Sequence, residues 1–151
     1  METANADVNA PRRVSRRVRV RDRGYRVQER DLDVLMALAK MRLLRTSDLA
    51  RLFFEATGTC QKRARKLFDA GLVRAVVTDL AAENRYVLTP MGHAFLSEAV
   101  PDGESVPVFR PAPRVDRRNV AHLDLLNRYR IALVLGAAKL GVELVRFMPE
   151  W

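Results

Sequence analysis

The sequence predicts a mainly α fold with a small β-hairpin: a winged helix-turn-helix followed by a long C-terminal helix and a short terminal strand. Three observations predict it. Leu49, Leu52 and Phe53 form an apolar stripe at i, i+3, i+4, and a short glycine-bearing connector leads from it into a basic helical stretch at 59–70. Two runs rich in β-branched and aromatic residues, 72–78 and 85–88, lie on either side of a polar turn at 81–84. A long helical pattern at 119–140 follows a stretch holding four prolines.

Residues 1–27 read as a basic arm without helical periodicity. Arg12, Arg13, Arg16 and Arg17, with Arg19, Arg21, Arg23 and Arg26, face only Glu2, Asp7 and Asp22. Such arms follow a DNA backbone or enter a minor groove; a disordered solubilising tail is the plainer alternative. Val14, Val18 and Val20 could instead form a short strand near the wing.

The winged unit is expected over 28–100. From Glu29 the apolar positions Leu32, Leu35, Met36, Leu38, Ala39 and Leu43 recur with helical spacing, and Arg42 and Arg45 mark the end. Thr46 then suits an N-cap, which would leave the amides near Arg45, Thr46 and Ser47 open to a phosphate. In the basic stretch Thr59 suits the N-cap and Gly71 the left-handed closing position. Cys60, Ala64, Leu67 and Phe68 should point inward. Gln61, Lys62, Arg65, Lys66 and Asp69 should point outward, with Arg63 on the flank. Arg can grip guanine and Gln adenine, while Lys holds phosphates. A solvated charged face is the competing reading.

Arg74, Asn84 and Arg85 flank the hairpin, within reach of a DNA backbone. Thr89 and Pro90 restart a helix as N-cap and first helical residue, anchored by Phe95 and Leu96. Residues 101–118 read as a semi-extended, proline-rich linker. The final unit, 119–151, holds the long helix and then a strand at 142–147 with an exposed edge. Val120, Leu123, Leu126, Leu133, Val134 and Ala137 lie near one helix face, which His122, Asn127, Arg128 and Arg130 interrupt. A small winged unit offers that face too little cover. Leu123, Leu126, Arg130, Leu133 and Val134 are therefore expected at a dimer or partner interface.

Composition narrows the function. A formal charge of +9 and a pI near 10.7 suit nucleic acid or an acidic membrane surface. No apolar run approaches the roughly 20 residues of a membrane-spanning helix, and the N-terminus lacks the pattern of a signal peptide. A cytoplasmic protein is expected. The single cysteine, Cys60, permits no internal disulfide and reads as a small buried residue, with a redox sensor as the alternative. His93 and His122 lack partners at metal-ligand spacing, and no phosphate-binding glycine loop or serine elbow is present. No enzyme activity, cofactor or metal is expected.

The chain also resembles the replication-relaxation proteins of bacterial plasmids and mobile elements. The resembling pieces are "ERDLDVLMALAKMRLL", "TSDLARLFF", "RKLFDAGLVR", "YVLTPMG" and "AHLDLLNRYRIALVLGAAKLGVELVRFMPEW", which cover nearly everything after residue 28 in the family's order. "AGLVR" and "YVLTPMG" are common to many winged helices; His122, Asn127 and Arg130 in the late helix are more specific. The resemblance implies a winged-helix, double-stranded DNA-binding protein linked to plasmid replication, relaxation or regulation; with the apolar face of the late helix, a nucleoid- or plasmid-associated homodimer is expected. Longer members continue past the Pro-Glu-Trp region into a segment like a degenerate nuclease core, and this chain is not expected to do alone whatever that segment does. The alternatives are an interaction module that delivers a nuclease, relaxase or replication partner to DNA, and a general charge-driven nucleic-acid binder.

Overall fold

A computed structural model of the chain describes residues 17–20, 23–77, 82–112 and 116–147. Its order is β1 (Arg17–Val20), β2 (Arg23–Arg26), α1 (Glu29–Met41), β3 (Leu44–Arg45), α2 (Thr46–Phe53), α3 (Thr57–Asp69), β4 (Val73–Val76), β5 (Arg85–Leu88), α4 (Pro90–Ala99) and α5 (Arg117–Lys139). The described part is mainly helical, with a three-stranded antiparallel sheet ordered β3-β5-β4. β1 and β2 pair antiparallel in a sheet of their own. Part of the basic arm is thus extended, as the strand reading of Val18 and Val20 has it, and its two strands pair with each other and not with the larger sheet.

The apolar stripe of α1 carries the core. Leu35 and Leu38 are fully buried and meet Leu49 of α2, Leu67 of α3, Leu96 of α4 and Ile131 of α5. Each such side chain removed from water contributes about 1.5–3 kcal/mol before ordering costs. The expected junctions hold at α4, where the Thr89 hydroxyl accepts from the Gly92 amide and Pro90 opens the helix. Gly71 closes α3 at φ 74°, in the left-handed region. α3 itself starts three residues earlier than the sequence suggests, with Ala56 rather than Thr59 at the N-cap.

The small sheet is covered on both faces. Strand residues alternate sides, so Val73, Tyr86 and Leu88 join the main core while Val76 and Val87 point the other way. There they meet Leu43 and the first turns of α5, through Val120 and Leu123. Helix α5 also packs along α2 and β3. Asn127 is buried between these regions and donates to the carbonyls of Leu43 and, at 3.2 Å, of Met41. Paired this way, a buried amide incurs little desolvation cost.

Several expectations are corrected here. α5 begins at Arg117, capped by the Asp116 carboxylate, which accepts from the amides of Arg118 and Asn119 at 2.7 and 3.2 Å. Residues 101–112 do not behave as a free spacer. The Arg42 guanidinium donates to the Pro111 carbonyl at 3.3 Å, and the His93 ring sits 2.8 Å from the Pro107 carbonyl and packs on Phe109. Residues 142–147 form no strand, because no neighbouring strand offers them a ladder; the chain crosses beside α5 as irregular backbone. Pro149, Glu150 and Trp151 lie outside the described residues, as do Val14 and Ala81.

Candidate nucleic-acid interface

Helix α3 turns Cys60, Ala64 and Leu67 into the core, which forces the residues between them outward. Gln61, Lys62, Arg65 and Lys66 are all exposed. The Arg65 side chain is 72% accessible; it ion-pairs with Asp69 one turn on, Nε to Oδ1 3.0 Å, and lies 5.6 Å from the Phe68 ring centre. Phe68, expected inward, is 40% exposed and serves as the shelf for that guanidinium. Helix α3 packs on β4, whose Arg74 is also exposed. The outward face of α3 presents cationic and amide donors chemically suited to phosphate oxygens and base edges, whereas Arg74 leaves β4 on the side of Val76, away from the main core.

Arg63 is not part of that face. It reaches back to α1, where Nε donates to Asp31 Oδ1 at 2.9 Å and the second nitrogen pairs with the other oxygen. Asp31 is fully buried and also accepts from the Gln28 amide at 2.7 Å. A flank position on a helix points at whichever neighbour packs there, and here that neighbour carries a buried carboxylate.

The start of α2 is not open either. Thr46 is the first helical residue rather than the N-cap; it is buried, and its amide and hydroxyl donate to the Asn84 carbonyl at 3.0 and 3.2 Å. The Ser47 amide and hydroxyl each donate to the Glu83 carboxylate at 2.8 Å. Arg45 forms a fork on Asp48, with Nε to Oδ2 2.9 Å and Nη2 to Oδ1 2.8 Å, and Asp48 also accepts the Arg45 amide at 3.2 Å. The hydrogen bond to Asp48 holds the Arg45 guanidinium above its ordinary pKa. A carboxylate from the turn before β5 therefore fills the place where a phosphate was expected. The spacing of Arg45 to Asp48 is that of a reciprocal helix-start pair, a signal readable in sequence. The Ser47–Glu83 contact spans 36 positions and carries no local signal.

At the sheet, Arg74 faces solvent but Arg85 does not. Its guanidinium grips Asp124 of α5, with Nη2 to Oδ2 2.7 Å and Nε to Oδ2 3.1 Å, and the two side chains are only 13% and 14% accessible. Asn84 is exposed, and its carbonyl is the acceptor for Thr46. Arg12, Arg13 and Arg16 lie outside the described residues; Arg17 pairs with Arg26 at the end of β1.

No family model, curated protein or solved structure matches the chain.

The expected partner face on α5 is redistributed. Leu123 is buried within its own chain against Leu43, Val76 and Val87, and Leu126 and Val134 are half-buried. Arg130 donates to the Lys40 carbonyl at 3.2 Å and lies 5.4 Å from the Phe147 ring centre, and burial lowers its pKa. Of the five residues named, only Leu133 is strongly exposed. It belongs to an outward stripe of Leu125, Tyr129, Leu133 and Leu140 at near-fourfold spacing, with Gly136 between the last two. The sequence hid this because α5 is apolar on two sides: an inner stripe of Val120, Leu123, Asn127 and Ile131 and an outer one. Among the described residues no cluster of side chains suits a metal ion, and no helix is long and apolar enough to cross a membrane.

Proposed function

We propose that this is a double-stranded DNA-binding protein of winged helix-turn-helix type. The observation that supports it best is the outward face of α3, where Gln61, Lys62, Arg65 and Lys66 are exposed together opposite a well-buried stripe. The order of three helices, a strand pair and the exposed Arg74 beside them suits a recognition helix set in a major groove with a wing at its side. A net charge of +9 suits electrostatic steering onto the duplex.

The likeness of the sequence to replication-relaxation proteins supports a role as regulator or accessory factor in the replication or relaxation of a mobile element. The outer stripe of α5 would join two copies, so that two recognition helices meet a two-fold symmetric site. On this reading the protein acts without catalysing a reaction itself.

Fluorescence anisotropy with duplex DNA at physiological salt tests the reading. Replacing Gln61 or Arg65 should relax preference at one base position, by about 1–3 kcal/mol for a bidentate contact. Replacing Lys66 or Arg74 should weaken all sequences alike and lower the salt slope by about one. If Lys62→Ala and Arg65→Ala change neither affinity nor preference, the face is a solvated surface and the reading fails. Light scattering of Tyr129→Asp and Leu133→Asp checks the dimer: a protein that is monomeric before substitution removes that part. Co-purification of a nuclease, relaxase or replication protein that is lost with these substitutions would instead favour the delivery reading.

A further inference from the structure

On the side of α1 where that helix ends, four cations converge on one concavity. It measures about 320 Å³ and is lined by Lys40, Arg42, Arg110 and Arg130, with Pro107 and Phe147 among its apolar walls. No carboxylate is among its lining residues, although the adjoining groove has Asp33 and Glu104. The volume falls at the lower end of the range for small-ligand sites.

A second observation concerns the backbone. Arg42 holds φ at 67°, and it is the single non-glycine residue of positive φ among the described residues. This position closes α1, where glycine would sit without strain. Sparsely populated backbone of this kind persists only where the surrounding structure over-determines it, and such positions cluster at ligand clamps and active sites. The strained turn aims Arg42 along the 107–112 segment, on which its guanidinium is fixed by the Pro111 carbonyl. Arg130 is also held in place, by the Lys40 carbonyl and the Phe147 ring, and burial lowers its pKa. Lys40 and Arg110 remain exposed at the rim.

We propose that this concavity binds a soluble polyphosphate anion of nucleotide size, with the phosphates between the two fixed guanidiniums and the rim cations. Arg forks match phosphate oxygens bidentately, and the Phe147 and Pro107 walls suit the planar or apolar remainder of such a ligand. The site draws on none of the outward residues of α3 and stands whether or not that helix reads DNA.

Calorimetric titration of the full chain with ATP and with inorganic pyrophosphate, without magnesium and at physiological ionic strength, tests it. Both should bind, ATP more tightly, and Arg110→Gln should weaken both by about tenfold or more. Arg42→Gly removes the strained φ, so the thermal midpoint should not fall while binding is lost. Lys62→Gln, on α3, should leave both affinities unchanged. Failure of ATP and pyrophosphate to bind at millimolar concentration overturns the proposal. It also falls if Lys62→Gln abolishes binding and Arg110→Gln does not. A variant Arg110→Gln that weakens duplex DNA binding while neither small anion binds would assign these cations to a DNA backbone instead.

Discussion

Arg63 of α3 and Asp31 of α1 form a bidentate ion pair whose acid is fully buried and whose base is only 14% accessible. It ties the exposed basic helix to the helix that carries the core. Breaking a buried pair by removing one partner costs about 3–5 kcal/mol, because the remaining charge loses its counter-charge in a poorly solvated place. Arg63→Leu should therefore lower stability by that order in urea denaturation. Replacing both residues with apolar ones of similar volume should recover most of the loss. A variant Arg63→Leu of unchanged stability that has lost DNA affinity would return Arg63 to the reading face.

The Ser47–Glu83 contact makes a different prediction. The Glu83 carboxylate holds the Ser47 amide and hydroxyl at the start of α2, where anions are favoured. On the DNA-binding reading, an approaching phosphate must displace it. Glu83→Gln should then raise affinity for duplex DNA and steepen the salt slope by about one. A slope unchanged by the substitution would mean that no phosphate approaches α2 there.

Cys60 supplies a pH test. Burial, helped by the negative charge of Glu83, pushes its thiol up to about 11. The folded state binds this proton more tightly than the unfolded chain, where a thiol titrates near 8.5. The resulting stability is fully present below the unfolded value and is lost as pH rises through about 11. Thiol-directed reagents should leave native Cys60 unmodified at pH 8 and react with it in denaturant. Fast modification of the native protein would contradict its burial.

Two glycines should respond in opposite directions. A Cβ on Gly92 would land on the Leu72 carbonyl, so Gly92→Ala forces backbone apart and should cost about 1–3 kcal/mol or more. Gly136 has open space around the position of its Cβ, so Gly136→Ala should stabilise α5 by up to about 1 kcal/mol. Thermal denaturation separates the two. A loss at Gly136 would point to a partner packed closely on that side of the helix.

Much of the fold was legible because local chemistry decided it. Thr89 with Pro90, the stripe of α1, the pair of strands and Gly71 are each specified within a few residues. The errors share one cause. Local position puts Arg63 on the flank of the basic face and Ser47 and Arg85 within reach of a DNA backbone, yet each is held by a carboxylate 32 to 39 positions away in the chain. Helical periodicity says which way a side chain leaves its own helix and not what stands there to receive it. The apparent strand at 142–147 fails for a related reason: β-branched residues suit a ladder, but a ladder needs a second strand. On α5 two apolar stripes lie on one helix, and spacing alone does not say which of them meets the core.

The lid that α5 forms over the outer face of the small sheet has a mechanical consequence. Val120 and Leu123 fill the gap beside Val76 and Val87, while Asp124 and Asn127 are bonded to Arg85 and to the end of α1. The covalent route from α4 to α5 is thus duplicated by non-covalent anchors on both sides. If a protease cut the exposed backbone near Asp102 and Gly103, the two fragments should elute as one particle, a nicked protein whose pieces keep each other folded.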